Sequence, residues 1–139
     1  MIDAETIVFD TVAKTLRTAH GESLYITGEY VPTPSKFPAV SLIESDNRSA
    51  IRYRTNTLRE RAASVMYELN VYSNKTAGKK AEAKAIANTA DEVMASLGFT
   101  RTMRNAIPNL NDASIYRIVC RYEGVIIPND DGNYYIHTN

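Results

Sequence analysis

Apolar and polar positions alternate along this chain with two distinct periods, and the changes of period mark the elements. From Asp3 to Thr18, residues Ile7, Val8, Thr11, Val12, Thr15, Leu16 and Ala19 recur at spacings of three and four, as the stripe of an amphipathic helix does. Asp3 is its expected N-cap and Gly21 its expected stop. Residues 27–38, TGEYVPTPSKFP, hold three of the five prolines and predict a long exposed loop, since proline interrupts both helices and central strands. PAVSLIE reads as a strand with Val40 and Leu42 on one face. The polar SDNRS reads as a turn, and AIRYRT alternates Ile51 and Tyr53 against Arg52 and Arg54 as a half-wet strand. SVMYELNVY is the clearest strand, with Val65, Tyr67, Leu69 and Val71 on one face and Met66, Glu68, Asn70 and Tyr72 on the other.

The period then changes to that of a helix. Ala83, Ile86, Ala90, Val93 and Leu97 form a stripe, Ala87 and Met94 widen it, and Gly98 closes it. The pattern predicts that Ile86, Ala90, Val93 and Leu97 pack on the sheet face bearing Tyr67 and Leu69. Lys79, Lys80 and Lys84 fall off the stripe, as a solvated face requires. Yet cations in the first turns oppose the helix dipole, while Asp91 and Glu92 sit toward the end that favours cations, so an acidic partner surface near the N-terminal end would relieve the conflict. SIYRIVCRYEGVI returns to a period of two, with Tyr116, Ile118, Cys120 and Tyr122 opposed to Arg117, Val119, Arg121 and Glu123. PNDDGN carries an Asp-Gly turn signal and NYYIH is the return arm. The expected architecture is α+β: an antiparallel sheet of about four to five strands, two helices packed on one face, and a C-terminal hairpin, all within one domain over residues 1–139.

Composition narrows the function. Sixteen basic and sixteen acidic side chains cancel, which speaks against duplex binding by whole-molecule charge. The one cysteine, Cys120, supports neither an intrachain disulfide nor a cysteine-rich metal site, and reads as a core thiol. The N-terminal segment mixes Asp3, Glu5 and Asp10 into its apolar pattern, unlike a signal peptide, and no apolar run is long enough for a membrane span. The six glycines are scattered singly, with no phosphate-binding or dinucleotide fingerprint. His20 and His137 have no ligand-spaced neighbours, and the carboxylate pairs Asp91–Glu92 and Asp130–Asp131 are merely adjacent. The expectation is a protein that is not an enzyme and carries no cofactor or metal.

Two stretches stand out as contact surfaces. RSAIRYRTNTLRER gathers Arg48, Arg52, Arg54, Arg59 and Arg61 against Glu60 alone. Such a cluster either guards an exposed sheet edge or meets a neighbouring subunit or DNA. The return arm holds Tyr134, Tyr135 and Ile136, apolar enough either to complete the chain's own sheet or to reach a partner. Lys79 and Lys80 join them as contact candidates.

The run from Glu68 to Ile126 resembles the tail terminator, or tail completion, proteins of long-tailed bacteriophages. The features that carry the resemblance are Val71–Tyr72 ending a strand, Gly78–Lys79 opening an alanine-rich helix, Gly98–Phe99 closing it, the Pro108–Asn109 loop, and Tyr116 with Arg117 and Arg121 on a strand. The match covers about half the chain, and the rest follows by element order. The resemblance implies a structural virion protein of the head–tail neck, assembled in the host cytoplasm. Its subunits would form a homo-oligomeric, hexameric ring that caps the tail-tube protein, joins the head connector or stopper protein, and lets DNA pass without sequence-specific binding. No membrane partner and no catalytic residue are implied. A head–tail connector or other neck protein of similar fold is the alternative, and a small nucleic-acid-binding module using the arginines is a further one.

Overall fold

A computed structural model of the chain describes residues 3–49, 62–108, 112–128 and 134–137, with the backbone alone at 49, 128 and 134–137. Its elements are α1 (Glu5–His20), β1 (Tyr25–Thr27), β2 (Ala39–Ser49), β3 (Ala63–Ser73), α2 (Lys79–Leu97), β4 (Thr100–Ala106), β5 (Tyr116–Pro128) and β6 (Tyr134–His137). Five strands lie in the order β1-β2-β3-β5-β4, and β6 pairs with β5. On β5, β4 covers Ile118 to Glu123 and β6 covers Val125 to Pro128, so the two follow one another along the same sheet edge. The sheet is antiparallel, as expected, except that β1 runs parallel to β2. Both helices pack on one face, so the predicted α+β architecture holds.

The helical stripes become the core. Val8, Val12 and Leu16 of α1 and Ile86, Ala90 and Met94 of α2 meet Tyr67, Leu69, Cys120 and Tyr122 of the sheet, all buried. Each Val, Leu or Ile so buried stabilises the fold by roughly 1.5 to 3 kcal/mol. Leu97 departs from the expectation: it is only partly buried at the margin of this core. The space beyond the last turn is taken by Phe99, whose ring stands edge-on to Tyr67 at 5.3 Å. Gly98 makes that turn possible, with φ 102° in the left-handed region where a side chain would be strained.

Several other boundaries differ from the sequence reading. The N-cap position of α1 is Ala4, without a side-chain cap, although Asp3 Oδ1 accepts the Glu5 N–H at 3.1 Å. Gly21 is the stop, as expected. The segment SDNRS is strand rather than turn: β2 bulges between Glu44 and Asp46 and stays paired with β3 as far as Ser49. Ser45 Oγ donates to the Met66 carbonyl at 3.2 Å across the bulge. β1 and β4 had no counterpart in the pattern. Residues 51–61, with Arg52, Arg54, Arg59 and Arg61, the Asp-Gly turn at 129–133, and Asn109 of the Pro-Asn loop lie outside the described residues.

Candidate interaction surfaces

The register of the sheet sorts the expected contact residues to its two ends. Arg48 pairs across β2–β3 with Ser64, and Ser64 pairs with Val125, which in turn pairs with His137 of β6. Arg48 and the arm bearing Tyr134, Tyr135 and Ile136 therefore lie at the same end. The Arg48 side chain is exposed, with Nε 4.0 Å from Asp46 Oδ2. The arm's backbone is the antiparallel partner of β5 and so completes the chain's own sheet. Lys79 and Lys80 begin α2 at the opposite end, next to where β3 stops and β5 starts. Lys79 Nζ donates to the Ser114 carbonyl at 3.3 Å, and Lys80 is exposed. At the same helix start Glu82 accepts from Ser73 Oγ at 2.7 Å, so one acid does sit where the dipole favours it.

The sheet face away from the helices carries a continuous polar belt on β3 and β5. Arg121 Nη2 lies 3.6 Å from Glu68 Oε1, Asn70 Nδ2 donates to Glu68 Oε2 at 3.3 Å, and Arg117 donates to Asn70 Oδ1. The Arg117 guanidinium also stands 5.6 Å from the Tyr72 ring centroid. Tyr72 in turn donates to the Val31 carbonyl at 3.2 Å, which ties the proline-rich loop to this face. Burial pushes the Tyr72 hydroxyl pKa up, while Arg117 opposes the rise. Ala39, Tyr72 and Ile115 form a small second core here with Tyr25 and Phe37. The two arginines of the charged strand face are thus engaged within the subunit.

The two lateral edges are of opposite charge. Beside β1 and α1, a cleft of ≈ 360 Å³ is lined by Glu5, Asp10 and Glu29 over the apolar floor of Phe9 and Leu42. Among the described residues none of these three carboxylates has an ion-pair partner. Glu5 also bears on Glu44, whose carboxyl pKa is raised first by burial and next by the Glu5 charge. Glu44 faces Tyr67 across the β2–β3 pair, and the buried Tyr67 hydroxyl has no hydrogen-bond partner among the described residues.

On the far edge, between α2 and β4, a cleft of ≈ 300 Å³ is lined by Lys84, Arg101, Arg104, Ala106, Tyr116 and Ile118. Three residues apart on a regular strand, Arg101 and Arg104 would face opposite ways. A bulge between Arg101 and Met103 turns both toward α2, opposite Tyr122 and Cys120. Arg101 pairs with Asp91 at 3.3 Å, while Arg104 donates to the neutral amide oxygen of Asn88 at 2.7 Å. Glu29, Arg101 and Arg104 did not stand out in the sequence, because they join the other lining residues only through the bulge, the helix and the loop after β1.

His20 Nε2 is 2.8 Å from Thr89 Oγ1, in the seam between the helices. Burial pushes the Cys120 thiol pKa up, which disfavours the reactive thiolate. Burial likewise raises the Tyr122 hydroxyl, which donates to Asp91 Oδ1 at 3.0 Å. Among the described residues no group of three His, Cys, Asp or Glu is placed to hold a metal ion, and no helix is long and apolar enough to cross a membrane. Compared with protein-family models and with curated protein sequences, the chain matches none.

Proposed function

We propose that this protein is a structural subunit of a phage head–tail neck, a tail terminator whose ring caps the tail tube and joins it to the head connector. The observation that carries the reading is where the resemblance residues fall. Val71 and Tyr72 lie at the end of β3, Gly78 and Gly98 bound α2, Phe99 enters the core, and Arg117 locks onto the β3 side chain of Asn70. These are the corners that set how the helix lies on the sheet, so the resemblance rests on the frame of the fold. A subunit with two unlike ends, Arg48 and the β5–β6 arm at one and Lys79 and Lys80 at the other, suits a ring placed between two different neighbours.

The test is growth of tail tubes from the cognate tube protein, imaged with and without this chain. A terminator is expected to sit at one tube end and to limit length. Binding to the connector with no effect on tubes would favour the alternative of a connector or other neck protein. Retention on DNA with neither protein partner bound would favour the nucleic-acid module.

A further inference from the structure

We infer that copies of this chain join head to tail, the acidic cleft beside α1 and β1 of one copy receiving the basic edge formed by α2 and β4 of the next. This inference rests on the ring reading and deepens it by assigning the two surfaces. Three observations converge. The first is charge: one edge offers Glu5, Asp10 and Glu29 and the other Lys84 and Arg104 beside the Arg101–Asp91 pair, in a chain whose formal net charge is zero. Patches of opposite sign steer association between copies, while like edges repel one another.

The second is position. Leu42 in the acidic cleft pairs with Leu69, Leu69 pairs with Cys120, and Cys120 pairs with Arg104 in the basic cleft. The two clefts therefore terminate one cross-strand row, at equal height on opposite edges of the sheet. A head-to-tail contact between unlike patches closes into a ring only if it adds no rise per copy, and patches at one level meet that condition for a ring axis along the strands.

The third is apolar lining. Within the clefts themselves, Phe9 and Leu42 line the acidic one and Ala106, Tyr116 and Ile118 the basic one. Each edge thus pairs its charges with apolar lining, the combination from which a stable interface is built.

The test uses two charge-reversed variants of exposed or edge residues, Asp10→Lys with Glu29→Lys, and Lys84→Glu with Arg104→Glu. Mass in solution is read by sedimentation, and thermal melting confirms that each variant remains folded. The wild type is expected to associate at low salt, and each variant alone to be monomeric at the same concentration. The two variants mixed in equal amounts are expected to recover association, because each supplies the charge the other now needs. Raising the salt from about 0.05 to 0.5 M should weaken wild-type association by about tenfold or more, since screening shortens the reach of exposed charges. Wild-type rings with both variants assembling normally would overturn the surface assignment and leave the ring reading intact. A wild type that stays monomeric, alone and with tail-tube protein, would overturn both.

Discussion

Arg117 donates two hydrogen bonds to one oxygen of Asn70, from Nε at 3.0 Å and Nη2 at 2.7 Å, at the centre of a sheet face that no helix covers. Asn70 is fully buried there. Asn70→Ala leaves a half-buried guanidinium short of an acceptor and breaks the link to Glu68. The loss should be about 1 to 3 kcal/mol, the cost of leaving such a group unsatisfied. Urea unfolding of this variant checks it, and an unchanged midpoint would show the belt to be ornamental.

The margin of the core at Leu97 makes a graded prediction. Met94 is fully buried, so Met94→Ala should cost about 2 to 5 kcal/mol through lost transfer energy and the cavity left behind. Leu97→Ala should cost clearly less, because the side chain is only partly buried. Equal destabilisation of the two in denaturant titrations would contradict the packing described.

Glu44 gives the protein a pH dependence with a definite sign. Its folded-state pKa lies above the ordinary value of 4.5, chiefly through burial and then through Glu5. The folded chain therefore holds this proton more tightly than the unfolded chain does. That contribution is complete below the ordinary value and is lost as the pH rises through the raised one. Glu44→Gln, which imitates the protonated carboxyl, should gain stability relative to the wild type between acid and neutral pH. Parallel urea midpoints for the two proteins across that range would exclude the effect.

Truncation after Asp131 removes β6 and its four-residue pairing with β5. Since the arm completes the subunit's own sheet, the isolated chain should melt earlier, by on the order of a few degrees for each kcal/mol of pairing lost. Calorimetry of the truncated monomer decides this. If melting is unchanged and only assembly with the tube protein fails, the arm acts through a partner alone.

The elements legible in the sequence were those with one wet and one buried face. The β3 pattern gave Tyr67, Leu69 and Val71 as core, and the α2 stripe gave Ile86 and Ala90, because burial on one side imposes the period. β4 was invisible: TRTMRNA lies on the sheet edge, exposed or half-exposed at every position, so no apolar alternation marks it. β1 has three residues, too few to show a period. The outer part of β2 reads as a turn because Ser45, Asp46 and Asn47 extend past the core, where pairing with β3 rather than burial keeps them extended. The two charged clefts were illegible for another reason. Glu29 and Asp10, like Lys84 and Arg104, are distant in sequence and become neighbours only once the sheet order is known.

Particle mass in solution, measured over a range of concentrations with and without the tail-tube protein, tests the central claim most directly. The ring account predicts a discrete species of about six times the 15.5 kDa chain mass, present alone or induced by the tube protein and bound at one tube end. A 15.5 kDa monomer at every concentration, unaltered by the tube protein, would contradict it.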